Sequence, residues 1–280
     1  MPRSVERAHR RRAVSRSRNA RELSQHLLTD PAVARRLVAA ARLPPDLPVV
    51  EPGAGLGAVT AVLAPGRDVT VYEIDPGFAR ALRARFAGSG VRVVGGDFLA
   101  AHAPRRPFAV VGNIPYAVTG GIVRWCLAAP SLRSATLITQ WEYARARTGG
   151  YGRWTRLTAA TWPVVTWRLC GRVPRAVFRP APRVDGGILR IARRPAPLLT
   201  GEALAGYRDM VHLAFTGVGG GVRASLARRY GRTRVAAALR AADLPPGVLV
   251  GEVPPDAWLA VFAHLEGVRP DGGREGRRRR

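Results

Sequence analysis

Between residues 48 and 140 the chain repeats one pattern: a short apolar run, a turn, and a stretch with helical spacing. The runs fall at 48–51, 69–73, 91–94, 108–111 and 135–138. They show almost no alternation of polar and apolar residues, so both faces of each strand must be covered. Helices between strands supply that cover, and the pattern therefore demands a parallel sheet in an α/β, Rossmann-like fold. Phe78, Leu82 and Phe86 share one helical face after Pro76, and Ile122, Val123, Cys126 and Leu127 share another after Thr119.

After Gly150 the texture changes. Runs at 164–169 and 188–191 predict an antiparallel pair added to the sheet edge, followed by a proline- and arginine-rich linker at 193–197. Leu204, Tyr207, Val211 and Phe215 recur at helical spacing, as do Trp258, Leu259, Phe262 and Leu265. The expected organisation is a basic disordered tail (1–21), an α/β domain (22–194), a small helical domain (198–268) and a second basic disordered tail (269–280).

Charge narrows the partner. The 280 residues carry 45 basic and 19 acidic side chains, a net charge of +26, and every basic one is arginine. GC-rich codons account for arginine over lysine, but not for the excess itself. Eight arginines against Glu6 in 1–21, and six against Asp271 and Glu275 in 269–280, leave the remainder strongly basic as well. Such a chain attracts a polyanion, nucleic acid before membrane, because the tails have no amphipathic apolar face. An apolar fraction of 47% excludes wholesale disorder. No apolar stretch is long enough to span a bilayer, and the N-terminus lacks a secretory signal. Cys126 and Cys170 alone make neither a disulfide framework nor a zinc site, so no metal and a reducing cytoplasm are expected.

Glu51-Pro52-Gly53-Ala54-Gly55-Leu56-Gly57 follows the first run. Gly53 and Gly55 let a ligand approach the backbone, but G-x-G-x-G lacks the pyrophosphate cradle of G-x-G-x-x-G. A nucleoside without phosphates, such as S-adenosylmethionine, suits it. Glu73 closes the second strand, where its carboxylate can accept two ribose hydroxyls; Asp97 closes the third, where it can accept an adenine amino group, with Phe98 over the ring. A packing turn and helix N-caps are the bland alternatives at these positions, but successive strand ends bearing suitable groups favour a ligand. The fourth strand ends in Asn113-Ile114-Pro115-Tyr116. The Asn113 side-chain oxygen and the Ile114 carbonyl can accept from an aromatic amine, freeing its lone pair for a methyl donor. Tyr116 can stack on the flipped base.

These motifs, with Tyr72-Glu73-Ile74-Asp75 and Gly96-Asp97-Phe98-Leu99, resemble those of the ribosomal RNA adenine N6-methyltransferases. Ser24-Gln25-His26-Leu27-Leu28 is similar to that superfamily's Q-N-F-L motif, and 178–185 to its F-x-P-x-P-x-V-D stretch. Within the superfamily the chain most resembles the Erm branch, which modifies one adenine of 23S rRNA and confers macrolide, lincosamide and streptogramin B resistance. The resemblance implies a class I methyltransferase sheet and S-adenosylmethionine bound by Gly53, Gly55, Glu73, Asp97, Phe98 and Asn113, with His26 and Leu28 at its methionine end. It implies that Asn113 and Ile114 hold the target amine while Tyr116 and Phe178 clamp the ring. His26 and Leu27 stand where the family has Asn and Phe.

In 141–154 arginines, aromatics and glycines interleave, which marks Arg145, Arg147 and Arg153 as RNA contacts, with a further arginine group at 223–234. The expected function is N6-methylation of a 23S rRNA adenine, naked or before assembly, by a cytoplasmic monomer. A 16S rRNA dimethylase and a non-enzymatic RNA-binding factor are the alternatives.

Overall fold

The computed structural model describes residues 26–217 and 220–267; Ser24, Gln25 and both basic tails lie outside them. Strand β1 (Leu27–Leu28) leads into helix α1 (Pro31–Ala41), where the Asp30 carboxylate accepts the Ala32 N–H and Pro31 occupies the first turn. Strands and helices then alternate as β2 (Val49–Pro52), α2 (Thr60–Leu63), β3 (Val69–Glu73), α3 (Pro76–Arg85), β4 (Arg92–Gly95), β5 (Phe108–Asn113), α4 (Thr119–Ala128) and β6 (Leu132–Gln140). Beyond them come α5 (Trp141–Arg147), α6 (Arg156–Thr161), β7 (Val165–Val173), β8 (Phe178–Arg179) and β9 (Gly186–Arg193). The helices α7 (Gly201–Thr216), α8 (Val222–Tyr230), α9 (Arg232–Ala241) and α10 (Pro255–Glu266) follow.

Seven strands form one sheet in the order β4-β3-β2-β5-β6-β9-β7, as the apolar runs require. The pairs β2–β3, β3–β4, β2–β5 and β5–β6 are parallel. The chain winds outward from β2 through β3 to β4, then returns to the other side of β2 as β5. The connections after β2 and β5 therefore diverge, and a crevice opens at the carboxyl ends of those two strands. The two late runs lie within longer strands, β9 and β7, at the expected edge. Apart from the sheet, β1 pairs antiparallel with β8, Leu28 opposite Phe178.

The chain separates into two compact units. Among the described residues, 142–169 group with 191–217 and 220–267. In the first unit the core holds Leu37, Val49, Val71, Val111, Ile138 and Phe178. In the second, Tyr207, Met210, Val211, Trp258, Val261 and Phe262 are buried together, from both predicted helical faces. On α3 the buried residues are Ala79 and Leu82, with Phe78 and Phe86 half-buried, because steps of four drift around a helix of 3.6 residues per turn. Among the described residues no helix is long and apolar enough to cross a membrane.

Candidate active site

Leaving β2, the backbone turns through Gly53 and Gly55 at φ of 67° and 56°, a left-handed region that side chains resist. That conformation aims the Gly53 N–H at the Tyr72 carbonyl (2.8 Å) and the Gly55 N–H at Glu73 Oε2 (2.8 Å). Glu73 Oε1 accepts the Asp75 N–H, also at 2.8 Å. Glu73 is 1% exposed and fastens the turn after β2 to the end of β3. Each oxygen keeps a further acceptor site, so a ribose would share these oxygens with the backbone donors.

Two cavities adjoin at this end of the sheet, with Gly53 and Pro115 in the lining of both. The first, about 620 Å³, is lined by Ile74, Asp97, Phe98, Leu99, Val118 and Ile122. Ile74, Leu99 and Val118 leave unusual apolar surface exposed around it, the setting an aromatic base needs. One Asp97 oxygen accepts the Leu99 N–H (2.9 Å), so Asp97 is both a cap and a cavity wall. Phe98 is buried, with its ring 4.4 Å from that of Trp125, and belongs to the lining of this cavity.

The second cavity, about 450 Å³, is lined by His26, Leu28, Glu51, Leu56, Asn113 and Ile114. Sequence reasoning treated Glu51 only as part of the glycine turn. It is buried, accepts the Thr60 hydroxyl at 2.7 Å, and has its carboxyl pushed up to about 8, first by burial and then by the nearby Glu73 charge. The wall there carries a neutral acid at pH 7. An acidic residue inside an otherwise apolar strand was the available signal.

Asn113 ends β5, and its amide nitrogen donates to the His26 carbonyl at 2.8 Å. His26 is held in turn by a 2.8 Å hydrogen bond between Nδ1 and the Pro180 carbonyl. The Tyr116 ring lies 5.6 Å from that of His26. A Cβ at Gly186 would stand 3.0 Å from the Tyr116 hydroxyl, so glycine there makes room for the ring. Phe178 departs from expectation. It is fully buried in β8 and lines neither cavity, because an aromatic ring opposite Leu28 completes the core beneath β1.

In the second unit, Arg145 bonds the Gly150 carbonyl and lies 4.1 Å from the Tyr151 ring. Arg147 donates to Thr155 Oγ1 at 2.7 Å and lies over Tyr143. Both guanidiniums therefore have internal partners, whereas Arg153 is exposed.

A cavity that a side chain at Gly53 would crowd against Pro115, apolar walls around Asp97, and polar groups at the other end fit S-adenosylmethionine. Residues 16–266 match the family model described as ribosomal RNA adenine dimethylase. The chain is 54% identical over 254 residues to an rRNA adenine N-6-methyltransferase of Streptomyces fradiae, covering 89% of this chain and 79% of the relative. It is 38% identical over 242 residues to the mycinamicin-resistance protein MyrB of Micromonospora griseorubida, covering 86% and 77%. The crystal structure of the 23S rRNA methyltransferase ErmE superposes with a TM-score of 0.83 at 49% identity, covering 86% of this chain and 99% of that one.

Proposed function

Because this chain belongs to the ribosomal RNA adenine dimethylase family, we propose that it methylates N6 of one adenine in 23S rRNA. The consequence is macrolide, lincosamide and streptogramin B resistance. S-adenosylmethionine, when bound, supplies a methyl group activated by its sulfonium. Asp97 and the apolar walls beside it receive the adenine; Gly53 and Gly55 give the close backbone approach; His26 and Leu28 flank the methionine end.

The tether from Asn113 to His26 carries the proposal. With the amide nitrogen held by a carbonyl, the amide oxygen is the end left to accept from the target amine. The Ile114 carbonyl is the second acceptor. Two acceptors on the amine's hydrogens draw its lone pair out of the ring, which makes this positioning chemistry rather than base catalysis. Tyr116 stacks on the extruded ring. Phe178 is assigned to supporting β1, and hence His26 and Leu28. The substrate is 23S rRNA, naked or before assembly, the protein a cytoplasmic monomer, and the second unit its RNA-binding part.

Labelled methyl transfer to purified 23S and 16S rRNA tests this. Label confined to N6 of one 23S adenine is expected. Label in 16S rRNA would make the protein a small-subunit enzyme, and tight RNA binding without transfer would make it a non-enzymatic factor.

A further inference from the structure

We infer that an arginine-lined groove in the second unit is a separate contact for the RNA phosphodiester backbone, an inference that rests on rRNA being the substrate. The groove has a volume of about 1140 Å³ and is lined by Arg223, Arg228 and Arg232, with Ala227, Pro246 and Gly247 between and opposite them. Its origin lies in two short helices. On α8, Val222, Ser225 and Leu226 turn inward, which leaves Arg223 and Arg228 exposed. Gly231, at φ 80°, then lets α9 begin directly, with exposed Arg232 at its first position.

Among the described residues, no acidic one lines the groove. The ion pairs Arg106–Asp68 and Arg172–Asp185 both lie elsewhere. Arg145 and Arg147 spend their guanidiniums on internal partners, but no such bond engages these three with a described residue. Three like charges sharing one concavity repel one another and focus a positive potential, a cost relieved when an anion enters. The guanidinium fork matches phosphate oxygens two at a time. An open groove of about 1140 Å³ with three arginines in its lining has room for more than one phosphate of a polymer.

The test uses the full chain with Arg223, Arg228 and Arg232 all changed to Gln. A control chain carries the same charge loss at exposed Arg35, Arg105 and Arg133. Affinity for a 23S rRNA fragment is measured from 50 to 200 mM salt. The groove variant is expected to flatten the slope of log K against log salt by about 2–3. It should also raise KM for RNA about 10-fold or more, with kcat, cofactor affinity and thermal midpoint unchanged. The triple Lys variant should recover most of the binding. Equal flattening in groove and control variants would overturn the inference, as would an unaltered slope in the groove variant. The proposed function fails separately, if the unaltered chain transfers no methyl group to 23S rRNA.

Discussion

Asn113 shows how one hydrogen bond can fix a catalytic direction. Its amide nitrogen is committed to His26, so replacing the side chain with Ala removes the acceptor aimed at the amine and this tether, while the His26 Nδ1–Pro180 bond and the β1–β8 pair still hold that wall. Asn113→Ala is expected to lower single-turnover methyl transfer by about 100-fold or more, the scale of losing one positioned hydrogen bond. Cofactor affinity by calorimetry should change little, and substantial residual turnover would sink the assigned role. Glu51 carries a pH signature. Its folded carboxyl holds a proton to about 8, whereas the unfolded chain releases it near the ordinary 4.5. The folded state thus binds more protons between those values, and this stabilising contribution is complete below 4.5 and lost as pH rises toward 8. Glu51→Gln keeps the neutral shape without titrating. The variant should melt with the parent at pH 4 and above it at pH 9, by an amount on the order of a few kcal/mol. An offset independent of pH would show that Glu51 does not titrate in this range.

At the scale of elements, the β1–β8 pair links core to chemistry. Two residues from each strand align His26 and Leu28 with the cavity, and Phe178 anchors the pair from below. Truncating that ring opens a void in the core, so Phe178→Ala should lose about 3–5 kcal/mol in denaturant unfolding. Phe178→Leu should recover most of that stability and most of the turnover. Recovery of stability without turnover would instead mean that the aromatic face itself meets the target base. The glycine turn is equally cooperative. Left-handed Gly55 aims its N–H at Glu73, and a Cβ at Gly55 would lie 2.5 Å from Leu27 Cδ2, so β1 closes directly over the turn.

For the whole molecule, net charge governs how RNA is gathered and the cavities govern what is done to it. Residues 269–280 carry six arginines against two acids, outside the described residues. Deleting them should weaken RNA binding and reduce its salt slope by up to about 3–4, with cofactor binding unaffected. An unchanged slope in filter-binding measurements would show that this tail takes no part.

Much of this was legible in the residues themselves. Nearly continuous apolar runs at 49–50, 69–71 and 108–111, interrupted only by Thr70, can satisfy water exclusion only as covered strands, so the parallel sheet follows from local pattern. The glycines, Asp97 and Asn113 were also visible, because each follows a strand whose end the pattern already located. Helices α8 and α9 were not, since their arginines dilute the apolar period. Nor was the hold of the Glu73 carboxylate on the backbone, the burial of Phe178, or the neutrality of Glu51. Those depend on which distant segments share a wall: Leu28 on Phe178, Glu73 on the turn of Gly55, Thr60 on Glu51. Periodicity along a chain encodes which face is buried, but hydrogen-bond occupancy and desolvation are properties of neighbours in space, and only the folded packing sets them.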